Sequence, residues 1–341
     1  MGLQRARSRV VIPLGLVVGL WAMFGASTTA TATAATSAIA SATASTFSSP
    51  VYAGDFPDPS MLLIKGTYWA YATGSAGRNL QVMSSTDLHS WTAPVDPLPT
   101  LPPWASVGKT WAPGVLRHAG TYIMYYTVHD SSLGVQCISV ATSTTAKGPF
   151  KDTSQVPLIC QTKKGGSIDP NPYLDPSTGA MYLLWKSDDN SLGAGHLTRL
   201  WGQQLAADGL SLVAGAPTLL LTESAPWQNP IIEGPAMIRH AGVYFLFYGA
   251  NNFDTASSAI GYATASSPLA AFTNQSVAGP WLGTTGNAQG PQGPSFFTDA
   301  TGATRMAFAA WYGVVGYENG GVRSLWVGTF GFNSAGAPTL N

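Results

Sequence analysis

Thr67–Thr73 reads TYWAYAT, and four stretches of the same make follow it: Thr121–Thr127 (TYIMYYT), Met181–Ser187 (MYLLWKS), Val243–Gly249 (VYFLFYG) and Arg305–Trp311 (RMAFAAW). Each is short, apolar and rich in aromatic residues, the composition of a strand. Aligning Tyr68, Tyr122, Tyr182, Tyr244 and Met306 spaces them 54, 60, 62 and 62 residues apart. Gly66, Gly120, Gly179, Gly242 and Gly302 stand ahead of them, where a turn into the strand is needed. A second strand follows most of them, at Leu80–Ser84, Gln136–Thr142, Ala259–Thr264 and Arg323–Thr329. Helical periodicity is almost absent. Five β-meander units at an even period, slightly longer than a kelch blade, predict an all-β fold, a five-bladed β-propeller. A β-sandwich would account for the strands but not for the even spacing.

Outward from the repeat, residues 1–35 have the order of a secretory signal peptide. Arg5, Arg7 and Arg9 give a basic start, an apolar run extends from Val10 to about Gly25, and Ala-x-Ala steps follow at Ala30–Ala32 and Ala32–Ala34. Pro13 and several glycines interrupt the run, which is short for a bilayer span. The expectation is cleavage and a secreted chain without membrane contact. Residues 36–49 read as a low-complexity Ala/Ser/Thr leader and residues 50–341 as the propeller domain. With 16 basic and 16 acidic residues there is no field to draw in nucleic acid or an anionic membrane. The 11 Trp and 13 Tyr offer faces for sugar rings, although they are ordinary sheet-core residues as well. Cys137 and Cys160 are compatible with one disulfide or with two buried thiols, and export favours the bond. The five histidines, His89, His118, His129, His196 and His240, show no metal-ligand spacing.

The repeat also groups the chemistry. Ten to thirteen residues before each aligned position lies a short Pro-containing segment: Asp58-Pro59-Ser60, Trp111-Ala112-Pro113, Asp169-Pro170-Asn171, Glu233-Gly234-Pro235 and Gly293-Pro294-Ser295. Equivalent positions of successive blades lie around one axis. If these segments open the innermost strands, Asp58, Asp169 and Glu233 meet in one central cavity at matched phases. Carboxylates crowded in a partly desolvated space push their pKa values apart, which is what acid–base catalysis uses. A single Asp-Pro would be read as a turn cap; three in phase point to function.

On these segments the chain resembles glycoside hydrolase family 43, five-bladed propellers that cleave arabinose- and xylose-containing glycans with inversion. Phe56-Pro57-Asp58-Pro59-Ser60 is similar to the family's first motif, Ile168-Asp169-Pro170 to its second and Glu233-Gly234-Pro235 to its third. Ser85–Trp91 (STDLHSW) and Trp111-Ala112-Pro113 are supporting matches, and the likeness runs from Tyr52 to Leu340. The resemblance implies that Asp58 is the general base, Glu233 the general acid and Asp169 the residue that orients the acid. It implies that Arg323 reaches the bound sugar, and Phe56, Trp104, Trp111 and Trp227 complete the expected substrate-binding set. Two departures stand out. Gly114 follows Trp-Ala-Pro where the family usually has Asp. The fifth blade reads Gly290-Pro291-Gln292-Gly293-Pro294, without the histidine that holds a central ion or water in many members. No cofactor or metal is therefore expected to be required, a central calcium ion is in question, and Gln289 or Gln292 is the candidate to hold water there. Asp188-Asp189-Asn190 reads as a polar turn rather than a cation site.

The Pro-rich insertion 94–109, with Trp104, and the segment 223–232, with Trp227, suggest a closed pocket taking one terminal sugar. The expected activity is a secreted, monomeric exo-α-L-arabinofuranosidase acting on arabinan or arabinoxylan. A β-xylosidase or an endo-arabinanase of the same family is next. A fructan hydrolase is disfavoured, because those enzymes read Arg-Asp-Pro and Glu-Cys where this chain has Ile168-Asp169-Pro170 and Glu233-Gly234. A non-catalytic glycan-binding propeller has no need of three carboxylates.

Overall fold

The structure is a computed structural model and describes residues 47–341. The predicted signal segment and nearly all of the leader lie outside the described residues. Five antiparallel sheets form the five blades of a β-propeller. The first comprises β1 (Ser60–Ile64), β2 (Thr67–Thr73) and β3 (Leu80–Ser85), the second β4 (Ala105–His118), β5 (Thr121–Asp130) and β6 (Val135–Ser143). The third holds β7 (Ser167–Leu174), β8 (Met181–Ser187), β9 (Arg199–Gln204) and β10 (Thr218–Thr222). The fourth holds β11 (Ile232–His240), β12 (Val243–Ala250), β13 (Ala259–Ala265) and β14 (Thr273–Asn274). The fifth holds β15 (Gln289–Thr298), β16 (Thr304–Trp311), β17 (Arg323–Phe332) and β18 (Pro338–Leu340). The first strands β1, β4, β7, β11 and β15 touch one another in turn and close a ring around the axis.

The five repeat stretches are the second strands β2, β5, β8, β12 and β16. They are sandwiched between neighbouring blades and buried on both faces, which is why they read as continuous apolar runs rather than alternating ones. Trp185, Trp311 and Trp326 are among the largest fully buried side chains. In blades one, two and four the hairpin into this strand is a two-residue turn with both residues left-handed, at Lys65-Gly66, Ala119-Gly120 and Ala241-Gly242. That is the type I′ geometry whose twist matches paired strands. Blades three and five use longer loops built on Asp175 and Asp299, whose carboxylates accept backbone N–H groups of Ser177 and Thr301 at 2.8 and 2.9 Å.

The ring is shut at the fifth blade by the start of the described chain. Tyr52 pairs with Leu325 on the edge of β17, and the Phe56 N–H donates to the Arg323 carbonyl at 2.8 Å. Phe47 packs edge-on against Phe308 and Trp326, and Asn287 binds the Phe47 and Ser48 carbonyls. Phe47 and Ser48 therefore pack onto the propeller. Cys137 on β6 is disulfide-bonded to Cys160 in the link to the third blade.

Candidate active site

At the axis every blade carries the same local device. Asp58, Ala112, Asp169, Gly234 and Gly293 have φ of 55°, 43°, 56°, 57° and 61°, and a proline follows each of them. Proline disfavours the right-handed helical region for its predecessor, and here the predecessor is left-handed. In blades two to five the register slips across this residue, between Trp111 and Gly114, Ile168 and Asn171, Glu233 and Ala236, and Gln292 and Ser295. Such bulges re-aim side chains. Asp58 and Asp169 occupy the left-handed position itself, but Glu233 stands one residue ahead of Gly234, level with Trp111, Ile168 and Gln292. The three carboxylates are thus not in one phase, and the bulge lets both positions line the cavity.

That cavity measures about 500 Å³ and is lined by Asp58, Asp169 and Glu233 together. Asp58 accepts the Thr73 hydroxyl on Oδ2 at 2.6 Å and meets Arg323 Nη2 on Oδ1 at 3.1 Å. Thr73 Oγ1 in turn accepts the Ala112 N–H at 2.8 Å, and Thr127 Oγ1 accepts the Asp169 N–H at 2.9 Å, so each blade helps to hold the next. Asp169 Oδ2 accepts the Gly234 N–H at 3.0 Å, fixing the residue beside Glu233. Glu233 Oε2 lies 3.4 Å from Lys186 Nζ, which also binds Asp188 Oδ1 at 3.1 Å.

Burial, then the negative charge of Glu233, pushes the Asp169 carboxyl up to about 8; Lys186 and the Gly234 N–H oppose the rise. For the Lys186 ammonium desolvation is the largest influence and lowers its pKa, but Glu233, Asp188 and Asp169 together hold it above the ordinary lysine value. The pocket thus contains an acidic pair, Asp169 and Glu233, beside one buried cation, and a separate Asp58–Arg323 pair across the axis.

Arg323 and Trp111, both expected to touch substrate, line the cavity. Phe56, Trp104 and Trp227 do not. Phe56 is fully buried in the apolar core between the first and fifth blades, edge-on to Tyr52. Trp104 packs on the core of the first two blades with its indole N–H on Ser154, and Trp227 lies along Tyr248 with its N–H on the Ser276 carbonyl. The insertion 94–109 contributes nothing to the lining, and segment 223–232 contributes Ile231 alone. The mouth is walled instead by Phe253 and Tyr317, from loops of the fourth and fifth blades. Their rings are 6.4 Å apart, the Arg323 guanidinium sits 5.3 Å from the centre of Phe253, and the Tyr317 hydroxyl binds Asp55. Each is a lone aromatic in a polar loop, Asn251–Ser258 and Gly316–Gly320, and that contrast is the signal sequence reading passed over.

Gly114, where Asp was expected, has a steric cause: a Cβ there would stand 2.3 Å from the Pro170 carbonyl oxygen. Gln292 lines the cavity and donates Nε2 to the Asn251 carbonyl at 2.9 Å, whereas Gln289 binds Gly313 and is not in the lining. Calcium takes six to eight oxygen ligands. The axial carboxylates already face Arg323, Lys186 and backbone N–H donors, and no group of three His, Cys, Asp or Glu suited to a metal occurs among the described residues. The donor set does not fit a resident calcium ion. Asp189 is buried against Ser187 and Arg199, consistent with a structural turn.

The sequence model of glycosyl hydrolases family 43 matches residues 47–326. The chain is 30% identical over 243 residues to the beta-D-galactofuranosidase xynD of Aspergillus niger, covering 66% of this chain and 65% of that protein. It is 25% identical over 239 residues to the extracellular endo-alpha-(1->5)-L-arabinanase 1 of Bacillus subtilis, covering 68% of each. Among solved structures, a thermostable family-43 glycoside hydrolase superposes with a TM-score of 0.77 at 25% identity, over 87% of this chain and 96% of that one.

Proposed function

Because the chain belongs to glycosyl hydrolases family 43, we propose that it hydrolyses a glycosidic bond in the axial cavity with inversion at the sugar carbon. Asp58 is the general base that takes a proton from the attacking water, and Glu233 is the general acid that gives one to the leaving oxygen. Asp169, on the blade next to Glu233 and bonded to the Gly234 N–H, orients the acid and shares with it the proton that mutual repulsion keeps in the pocket. The observation that carries this reading is the convergence of three carboxylates from blades one, three and four on one cavity, each with a different set of partners. Inversion needs acid and base about 6.5–9.5 Å apart with water between them, and non-adjacent blades are suited to supply that gap.

The substrate we favour is a terminal α-L-arabinofuranosyl residue of arabinan or arabinoxylan. A cavity rimmed by Trp111, Phe253 and Tyr317 is the feature that favours a chain end over the middle of a chain. A β-D-galactofuranoside is the second reading, favoured by the Aspergillus niger relative. The two sugars share a ring configuration and differ by an exocyclic carbon. Export by the signal-like segment and action as a monomer belong to the same proposal; N-terminal sequencing and the mass in solution of protein recovered from medium test them.

General acid and base groups each contribute roughly 10²–10⁴-fold. Asp58→Asn and Glu233→Gln should lose activity on that scale while melting like the parent. Turnover of an oligosaccharide, whose alcohol leaving group needs a proton, within a few-fold of the parent in either variant would overturn the assignment. Proton NMR of the first-formed sugar reports inversion, and a panel of 4-nitrophenyl α-L-arabinofuranoside, β-D-xyloside and β-D-galactofuranoside with debranched arabinan ranks the substrates.

A further inference from the structure

Lys186 is the fifth residue of the motif shared by the five second strands, counted from the aligned Tyr182. Ala72, Tyr126, Tyr248 and Ala310 hold that place in the other blades, all of them buried and uncharged at neutral pH. Blade packing therefore does not call for a cation there. The lysine side chain is 1% exposed, yet its ammonium lies on the cavity wall between Asp188 from its own blade and Glu233 from the next. Asp169 on β7 is the third carboxylate acting on it. Arg323, the other buried cation of the cavity, is paired with Asp58 across the seam between the fifth and first blades and reaches Glu233 only through longer-range charge. Lys186 is thus the only cationic side chain within salt-bridge distance of Glu233 among the described residues.

We propose that Lys186 is a positioning residue for the acid: it anchors the Glu233 carboxylate to the wall beside Asp188 and supplies the charge that lets Asp188, Asp169 and Glu233 share one small cavity. This rests on the reading of Glu233 as general acid. With the ammonium in place, the acidic pair gives up its proton more readily than three unopposed carboxylates would. The lysine therefore sets where the basic limb of the pH–rate profile falls, in addition to where the acid points. Asp188 works against it by drawing part of the same charge away from Glu233.

The test is the pH dependence of kcat/KM on an arabinofuranosyl oligosaccharide, whose alcohol leaving group needs the acid, for Lys186→Met, Lys186→Arg and Asp188→Asn. Removing an opposite charge at this distance raises a carboxyl pKa by about one unit or more. Lys186→Met should move the basic limb up by about one pH unit and lower the maximum at least tenfold. Lys186→Arg, which keeps the charge, should leave the limb within a few tenths of the parent. Asp188→Asn should move it the opposite way, to lower pH, and supplies the test if Lys186→Met does not fold. A limb that stays in place in both Lys186→Met and Asp188→Asn, whatever the loss of rate, reduces the lysine to a packing role and overturns the proposal. Failure of the underlying reading is a separate result: Glu233→Gln would then keep its activity on substrates with poor leaving groups.

Discussion

At the scale of single residues, the cavity is organised by which cation faces which carboxylate. Asp58 has Arg323 and the Thr73 hydroxyl, Glu233 has Lys186, and Asp169 has a backbone N–H and the pressure of its neighbours. The raised Asp169 carboxyl, at about 8, gives a pH prediction with a definite sign. A proton held by the Asp169–Glu233 pair is present below that value and lost above it, so activity should fall as pH rises through about 8. Asp169→Asn takes one negative charge from the pair, and with it the repulsion that holds the proton in the pocket. Its basic limb should therefore lie at lower pH than the parent's, and a limb at the same pH would break the link between the two residues. At the mouth, Phe253→Ala removes one face of the aromatic wall and the ring over Arg323. It should raise KM more than it lowers kcat, which steady-state kinetics on an aryl arabinofuranoside will read. Sequence reading found the carboxylates because each stands in a short proline-containing segment at a repeated position. It missed Lys186, whose only trace is one charge inside MYLLWKS, and it put Trp104 and Trp227 at the mouth. Indole rings in loops look alike in sequence whether they face a ligand or pack onto the rim of the core.

At the scale of elements, the second strands were legible because both of their faces are buried, which leaves an unbroken apolar run that needs no periodicity to recognise. The fourth strands, and the third strand of blade three, were not. β10, β14 and β18 are short edge segments whose pairing is fixed by the loops between blades, and β9 begins on Arg199 amid polar sequence. The one-residue offset of Glu233 was hidden for a similar reason. A bulge is a property of two strands in register, and one strand's sequence does not reveal it. Hairpin chemistry also carries a prediction. Ala241 is left-handed at φ 47° in the type I′ turn before β12, with Gly242 after it. An alanine there bears a strain that asparagine largely escapes, since L residues pay about 1–2 kcal/mol in this region. Ala241→Asn should raise the melting temperature, and the β-branched Ala241→Val should lower it by more. Calorimetry showing the reverse order would rule out strain at this turn.

At the scale of the whole molecule, five sheets share one axis and each blade leans on the next, so the edges of the ring matter more than their length suggests. The disulfide between Cys137 and Cys160 ties the second blade to its connection with the third across 23 residues. A cross-link of that kind contributes about 2–4 kcal/mol. Reduction, or Cys137→Ser with Cys160→Ser, should lower the melting temperature without changing kcat, because neither cysteine lines the cavity. Equal melting with and without reductant would show that the link carries no stability. The closure of the ring has a different kind of consequence. Asp58 and Arg323 are partners separated by 265 positions, and they meet only when the chain's last blade docks against its first strands. A ribosome therefore makes four blades and most of a fifth before the proposed base acquires its guanidinium. Until β17 has emerged and folded, the nascent chain holds every carboxylate of the site but not the guanidinium that faces Asp58, so the proposed hydrolysis waits for the fifth blade to dock against the first.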